Sequence, residues 1–396
     1  MTVVPKGYRF AAVAASFKKP GKLDLGLAVS EVPAMAAGVY TTNLFQAAPV
    51  LECKRLAPGP VRAVLVNSGQ ANACTGEEGV LNCREVCGLT AGVAGLPEGS
   101  VLPASTGVIG MQLKMDRWRE AMPDLKAALV GPSDPEAFAR AMMTTDTFPK
   151  IASAEAKLAG GTVRLVGMAK GSGMICPNMA TLLTFVFCDA EADAEWWQGA
   201  VRRAAGLSFN RITVDGDTST NDTLLALANG ASGVEARTRA DRGALENALY
   251  DVCRELAYLI VRDAEGGTKV ARIRVTGALT NTEAEVVARA VGHSPLVKTA
   301  LFGGDANWGR VVAAVGRSGA QFEPENLVLR FGDVVAFEHG TPAGTDAQEL
   351  EELLAPLFAD KDVLIQVDLG AGEGEYELLT SDLSRDYVSI NADYRT

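Results

Sequence analysis

The feature that most limits the fold of this chain is the alternation of short apolar runs with amphipathic segments. Five runs rich in Val, Ile, Leu or Phe, each bordered by turn residues, predict β-strands. These runs are residues 61–67, 162–168, 182–188, 270–276 and 363–369. Helical segments separate these runs, so strands and helices alternate along the chain.

Three segments predict helices. Residues 242–262 carry apolar side chains at i+3 and i+4 spacing, which is the stripe of an amphipathic helix. Residues 193–206 end at Gly206, a residue suited to a helix C-cap. Residues 134–143 begin at Asp134, whose charge favours a helix N-terminus. Long helices mixed with short strands predict an α/β (α+β) fold built in layers.

The chain is long enough for more than one domain. Its 396 residues, 48% of them hydrophobic, can bury a large core. The segment "GALTNTEAE" interrupts the alternation and precedes a last part that looks like a small α/β domain. We therefore expect a smaller C-terminal domain from about residue 281 to residue 396.

Charge and hydropathy exclude several classes of partner. A formal charge of −11 argues against nucleic acid, which requires a basic face. No apolar run approaches the roughly 18–20 residues that span a bilayer, and the N-terminus lacks the order of a secretory signal. We expect a cytoplasmic protein without a membrane partner.

Histidine and cysteine usage limits the chemistry. The two histidines, His293 in "VGHSPL" and His339 in "FEHGTP", are predicted in a turn and a loop, and neither adjoins a nucleophile motif. The base of an enzyme would therefore be something other than imidazole. The seven cysteines contain no CxxC pair, and Cys83 and Cys87 have the spacing of one helix face. We expect no metal site.

Three polar or glycine-rich segments resemble ligand loops only superficially. "NSGQANACTG" and "KGSGM" lack the spacings of nucleotide-binding loops. "DGDTSTND", residues 215–222, lacks the Gly and Glu of a calcium loop, since Thr220 and Ala226 stand at those positions. Its hydroxyls and carboxylates could instead support an active site through hydrogen bonds.

"PASTGVIG", residues 103–110, has two interpretations. Short STG strings are frequent in turns, so an ordinary glycine turn is one of them. Alternatively, the Thr106 hydroxyl and the Gly107 N–H form a pair of donors that holds an oxyanion. The residues alone leave both open.

Thr181 stands where the loose "KGSGMICPNMA" becomes the apolar "TLLTFVFCDA". One interpretation is a strand residue whose hydroxyl bonds locally. The other is a nucleophile at a new chain end. If the Thr181 hydroxyl attacks the Ala180 carbonyl and water opens the ester, Thr181 gains an α-amine with a pKa of about 7.7–8.0. That amine can serve as the base for its own hydroxyl.

"GMAKGSGMICPNMATLLTF" closely resembles the processing segment of the glutamate N-acetyltransferase/ornithine acetyltransferase family of arginine biosynthesis. Further segments look like those of this family in the same order and extend over nearly the whole chain. They are "NSGQANACTG", "STGVIG", "TTDTFPK", "SFNRITVDGDTSTNDT", "RDAEGGTK", "GGDANWGR" and "NADYRT". Gln70 and Gly267 stand where Asn and Ala are expected, and Cys176 takes a variable position.

The resemblance implies roles for individual residues. Self-cleavage of the Ala180–Thr181 bond would give an N-terminal α chain, residues 1–180, and a β chain, residues 181–396, with Thr181 as nucleophile. Thr106 and Gly107 match the oxyanion hole. The implied fold is layered α/β, similar to N-terminal-nucleophile hydrolases in chemistry but not in topology. The substrate-contacting positions of the family match Thr147, Lys170, Thr181, Glu265, Asn391 and Thr396.

The implied activity is a ping-pong transfer of acetyl from N2-acetylornithine to glutamate, through an acetyl-threonine and without a bound cofactor or metal. Lys170 suits a substrate carboxylate and Glu265 the side-chain ammonium of ornithine. The family assembles as two α and two β chains. Acetyl-CoA as a further donor stays open. So do two alternatives: an N-terminal-nucleophile amidase or aminopeptidase that passes the acyl group to water, and a non-catalytic protein that binds a small ligand.

Overall fold

The computed structural model describes residues 3–18, 20–176, 182–344 and 347–393. These residues divide into two compact units. The first unit contains the described residues up to Asn210 together with Asp217–Ile260. The second contains Arg211–Gly216 and the described residues from Val261 onward.

Strands and helices alternate throughout the described residues. The strands are β1 (Tyr8–Val13), β2 (Leu25–Tyr40), β3 (Gly59–Gln70), β4 (Val101–Val108), β5 (Lys150–Leu158), β6 (Gly161–Lys170), β7 (Leu183–Cys188), β8 (Ile212–Thr213), β9 (Thr223–Ala228), β10 (Val270–Ala278), β11 (Val328–Phe331), β12 (Val334–Glu338), β13 (Thr341–Pro342), β14 (Asp362–Asp368) and β15 (Gly374–Ser381). The helices are α1 (Ala48–Leu56), α2 (Gly76–Ala94), α3 (Met115–Val130), α4 (Pro135–Ala141), α5 (Ala194–Leu207), α6 (Arg239–Arg262), α7 (Asn281–Gly292), α8 (Pro295–Gly303), α9 (Trp308–Gly316), α10 (Ala347–Ala359) and α11 (Arg385–Asp393). The five predicted strands and three predicted helices are all present.

The ends of two predicted helices differ from expectation for local reasons. Helix α6 starts before residue 242 because Thr238 and Asp241 form a reciprocal cap, in which each side chain accepts the backbone N–H of the other residue. Helix α5 passes through Gly206, so the expected glycine C-cap is wrong. Ser208 ends this helix instead, and its hydroxyl donates to the Ala204 carbonyl at 2.6 Å.

The first unit is built on an eight-stranded sheet with the order β4-β3-β2-β9-β7-β6-β5, and β1 pairs with β2. Side chains alternate along β2: Leu25 and Leu27 join the cluster that contains Trp118 of α3, whereas Ala28 joins the cluster of Phe185 and other aromatic rings. All six residues of β7 are buried, because this strand is covered on both faces. The layered α/β fold is thereby confirmed.

The second unit has a seven-stranded mixed sheet with the order β13-β12-β11-β14-β10-β15-β8. Strand β10 pairs parallel with β14 and antiparallel with β15. Helix α7 packs on β10 and β15, and the apolar side chains form one core. This unit includes β10, which lies before the boundary expected near residue 281.

In the described parts of the chain, no helix combines the length and the apolar character needed to cross a membrane.

Candidate active site

The described residues on either side of the Thr181 segment are held by one loop. Ala180 and Thr181 themselves lie outside the described residues. On one side, Cys176 accepts a hydrogen bond through its carbonyl from the Thr218 hydroxyl at 2.8 Å. On the other side, the Leu182 carbonyl accepts from the Thr223 backbone N–H at 2.8 Å. The "DGDTSTND" loop and the residue after it therefore anchor both flanks, which fits the supporting role expected of its hydroxyls.

Asn221 connects this loop to the ends of β3 and β4. Its buried amide donates to the Ala71 carbonyl at 2.6 Å and to the Ser105 carbonyl at 2.9 Å. Its side-chain oxygen accepts from the Thr220 hydroxyl at 2.7 Å. The loop beside the Thr181 segment is thus bonded to the residue directly before Thr106.

Thr106 and Gly107 lie near the end of strand β4 and not in a glycine turn. Gly107 has φ +130°, a region that disfavours other residues. A Cβ at Gly107 would lie 2.4 Å from the Gly69 carbonyl carbon and 2.6 Å from the Gln70 nitrogen. β4 therefore presses against the backbone of β3, which excludes the interpretation of "STG" as an ordinary turn.

Buried polar bonds hold this strand end rigid. The Ser105 hydroxyl donates to the Asn67 side-chain oxygen at 2.6 Å, and the Asn67 amide donates to the Gln70 carbonyl at 3.1 Å. The Gln70 side chain donates to the Gln112 carbonyl at 2.7 Å and accepts from the Lys114 N–H at 3.2 Å. Gln70, unexpected at its position in the motif, thus has a structural role.

Lys170 ends strand β6 beside a buried carboxylate. Asp146 accepts from the Gly171 N–H and from the Lys150 ammonium, both at 2.8 Å, and from the Thr144 N–H at 2.9 Å. Burial by itself would raise the pKa of Asp146, but Lys170, Lys150 and these hydrogen bonds outweigh it and hold the pKa well below its usual range. The carboxylate stays charged and fixes the backbone next to Lys170.

Asp146 also fixes the backbone next to Thr147. Thr147 follows it directly in the loop before β5 and is itself exposed. The neighbouring Thr145 hydroxyl lies 2.7 Å from the Ser172 hydroxyl. Two of the predicted substrate-contacting positions, Thr147 and Lys170, are thereby brought to the same part of the first unit.

Two more predicted positions meet in the second unit. The buried Glu265 carboxylate accepts from the Asn391 amide at 2.8 Å, and the same amide donates to the Tyr387 carbonyl at 3.0 Å. Gly266 has φ +64°, and a Cβ there would lie 2.5 Å from the Tyr387 nitrogen. Close packing of α11 on this glycine thus brings Asn391 to Glu265. Thr396 lies outside the described residues.

The histidines lie where the sequence predicts. His293 caps α7, and its pKa is lowered by burial and by neighbouring cations such as Arg289. His339 lies in the turn after β12. Cys83 and Cys87 both lie on α2, as their spacing predicts. Across the described ranges, no group of three His, Cys, Asp or Glu side chains could hold a metal ion.

Comparison with known proteins shows relatives over the full length. The model of the ArgJ family matches residues 9–396. The arginine biosynthesis bifunctional protein ArgJ of Nitratidesulfovibrio vulgaris is 57% identical over 398 residues, with 100% of each chain covered. The protein of the same name from Geobacter sulfurreducens is 50% identical over 394 residues, with 99% of each chain covered.

A solved structure is also similar. The crystal structure of arginine biosynthesis bifunctional protein ArgJ from Bacillus halodurans is 41% identical and has a TM-score of 0.50, covering 53% of this chain and 98% of that one. These findings confirm the resemblance indicated by the motifs and place the chain among the acetyltransferases of arginine biosynthesis. It belongs to the ArgJ family.

Sequence reasoning had not singled out Asn221 or Asp146 as individual residues. Both stand inside motifs that carried the resemblance, "SFNRITVDGDTSTNDT" and "TTDTFPK". A buried polar side chain inside a motif is the signal that could have identified them, but burial is a property of the fold.

Proposed function

We propose that the chain cleaves itself between Ala180 and Thr181, and that Thr181 then carries acetyl from N2-acetylornithine to glutamate. Membership of the ArgJ family supports acetyl transfer in arginine biosynthesis. The observation that carries the assignment to Thr181 is the hydrogen-bonded connection of its described flanks, through Asn221, to the Thr106–Gly107 strand end.

Cleavage begins when the Thr181 hydroxyl attacks the Ala180 carbonyl carbon. The C–N bond breaks, the Thr181 nitrogen takes the hydroxyl proton and becomes an amine, and Ala180 is left as an ester on the Thr181 oxygen. Water hydrolyses this ester, which releases the carboxyl end of the α chain and restores the hydroxyl. The new α-amine has a pKa of about 7.7–8.0 and is partly neutral at physiological pH.

Acetyl transfer then follows in two steps. The α-amine removes the proton of the Thr181 hydroxyl, whose oxygen attacks the acetyl carbonyl of acetylornithine. The amide C–N bond breaks, and ornithine leaves with the proton on its nitrogen. The amine of glutamate attacks the acetyl-threonine ester, and its proton returns to the Thr181 oxygen as N-acetylglutamate leaves.

Thr106 and Gly107 are assigned to the oxyanion of both steps. Their strand end is held by buried hydrogen bonds, so the two donors do not have to reorganise as charge develops. Removal of one such donor typically lowers the rate by about 10²–10³.

Substrate binding is assigned to charged and polar side chains. Lys170 binds the α-carboxylate that both substrates carry, and Glu265 binds the side-chain ammonium of ornithine, with Asn391 holding Glu265 in place. Thr147 and Thr396 complete the proposed set of contacts. No metal or bound cofactor takes part in this scheme.

The remaining parts of the proposal follow the family. The α chain, residues 1–180, and the β chain, residues 181–396, assemble as two copies of each in the cytoplasm. The relatives are named bifunctional, which supports a second activity in which acetyl-CoA acetylates glutamate. This donor would load Thr181 in the same way as acetylornithine.

Denaturing mass spectrometry and an acetyl-transfer assay test the proposal together. The wild type should give two fragments that begin at Met1 and Thr181, whereas Thr181→Ala should stay in one piece and transfer no acetyl. Incubation with acetylornithine, with and without glutamate, separates transfer from hydrolysis by an amidase. An intact wild-type chain, or a Thr181→Ala chain that still splits at this bond, contradicts the mechanism.

A further inference from the structure

Lys18 lies in the loop between β1 and β2, and a buried carboxylate sets its position. Asp24 accepts the backbone N–H groups of Ala15 and Phe17, each at 2.6 Å, and that of Lys18 at 3.0 Å. Asp24 itself is fully buried. Three hydrogen bonds to one side chain leave the backbone of residues 15–18 little freedom, so the position of Lys18 is well defined.

The Lys18 side chain starts next to the candidate oxyanion site. A Cβ at Gly69 would lie 2.9 Å from Lys18 Cγ and 3.0 Å from the Phe17 carbonyl oxygen. Gly69 is also the residue that a Cβ at Gly107 would meet at 2.4 Å. Because neither glycine has a side chain, the aliphatic part of Lys18 packs against β3 at Gly69, and β3 packs there against the end of β4 at Gly107.

The Lys18 ammonium points toward the loop that contains Asp146. It donates to the Met143 carbonyl at 2.5 Å. Among the residues that the structure describes, no carboxylate forms an ion pair with it, and the Met143 carbonyl is its one hydrogen-bond acceptor, although an ammonium has three N–H groups to donate. Burial lowers the pKa of Lys18 to about 8, and Asp24 and Asp146 oppose this effect.

Lys170 is a second cation with unused hydrogen bonds. The residue is 9% exposed, and its ammonium makes no hydrogen bond within the described residues. Lys18 and Lys170 are close enough to repel each other, and both act on the same carboxylate, Asp146. Two partly desolvated ammonium groups that share one neighbouring carboxylate favour the binding of an additional anion.

We propose that Lys18, together with Lys170, binds the α-carboxylate that acetylornithine and glutamate have in common. This inference rests on the proposed function. The α-carboxylate is separated from the acetyl carbonyl oxygen by only a few bonds, so a substrate whose carbonyl lies at Thr106 and Gly107 places its carboxylate near these strands. Lys18 would thus be a substrate-binding residue of the transfer reaction.

The test uses Lys18→Gln, because glutamine keeps a donor for the Met143 carbonyl while it removes the charge. Lys18→Arg keeps the charge, and Lys22→Gln is the matched control, since Lys22 is an exposed lysine of the same loop. Calorimetry on the purified protein measures the Kd of ornithine and of 1,4-diaminobutane, which is ornithine without its carboxylate. Kinetics measures KM for acetylornithine and glutamate.

Lys18→Gln should weaken ornithine binding and raise KM for both substrates by about 10- to 100-fold, which is the loss of one charge-assisted hydrogen bond. Binding of 1,4-diaminobutane, fragment masses and the thermal midpoint should stay unchanged. Lys18→Arg should recover most of the affinity, and Lys22→Gln should behave as the wild type.

Two results would overturn the role of Lys18: unchanged ornithine affinity in Lys18→Gln, or equal weakening of ornithine and 1,4-diaminobutane. The role of Lys18 would also be overturned if the wild-type protein binds no ornithine. If the wild type transfers no acetyl but binds ornithine in a manner that depends on Lys18, the proposed function fails and the carboxylate site survives.

Discussion

The Asp146–Lys150 ion pair allows a quantitative prediction. Both side chains are wholly buried, and the carboxylate and ammonium lie 2.8 Å apart. In Asp146→Asn the side chain keeps an acceptor but loses its charge, which removes the carboxylate that faces the buried Lys150 ammonium at 2.8 Å. Breaking a buried pair in this way typically costs about 3–5 kcal/mol. A fully exposed pair would lose less than about 1 kcal/mol.

Thermal unfolding measures this cost. For a unit of 150–250 residues, 1 kcal/mol corresponds to about 2–4 °C, so the midpoint of the first unit should fall by about 6–20 °C. Three of the four tryptophans, Trp118, Trp196 and Trp197, lie in this unit, so tryptophan fluorescence reports mainly on it. The control is Asp116→Asn, which breaks the pair with Arg119 at a carboxylate that is 90% exposed.

A double variant checks the physical cause. Asp146→Asn with Lys150→Met removes both charges, so it should be more stable than Asp146→Asn alone. If Asp146→Asn is as mild as Asp116→Asn, or if the double variant recovers nothing, the buried charge does not account for the stability and the reasoning is refuted.

The effect also has a defined pH dependence. The pKa of Asp146 is lowered in the folded protein, so its contribution is complete above the unfolded pKa of about 3.9 and is lost as the pH falls toward the folded value. The difference in midpoint between wild type and Asp146→Asn should therefore be constant near neutral pH and shrink below about pH 4. Midpoints measured in a series of buffers give this curve.

Two further predictions concern the site. Gly107→Ala should lower acetyl transfer at least about 100-fold, because its Cβ would displace the β3 backbone and with it an oxyanion donor; Gly110→Ala, also at positive φ but with open space around it, is the control and should stay within about tenfold in the same kinetic assay. Deletion of residues 391–396 removes Asn391 from Glu265 and should abolish turnover while mass spectrometry still finds both fragments; a fully active truncated protein would reject a role for the tail.

Much of the local structure follows from the residues themselves. The apolar run at residues 182–188, interrupted only by Thr184, predicts β7 because a strand covered on both faces is built almost entirely from apolar side chains. The i+3/i+4 stripe predicts α6 because apolar side chains at this spacing lie on the one face of a helix that packs against the core. The ends of these helices were less predictable. The Thr238–Asp241 cap starts α6 before its apolar stripe begins, and Ser208, not Gly206, ends α5.

The family was also accessible from the sequence, because ordered motifs carried the resemblance, and the family in turn suggested the candidate site. What they could not decide was the meaning of "STG". That string is compatible with a turn or with an oxyanion site, and the contact of Gly107 with the backbone of β3 excludes the turn. The oxyanion site stays a proposal. A short sequence motif contains no information on which strand lies beside it in the folded protein.

By itself, then, the sequence determined the layered alternation of strands and helices, the class of enzyme and Thr181 as the candidate nucleophile. Only the tertiary structure decided which polar residues support that site. Asn221 reaches a carbonyl 150 positions away, and Lys18 reaches one 125 positions away. Such bonds depend on how the chain packs, and burial is what turns these ordinary polar residues into fixed, partly or fully desolvated groups.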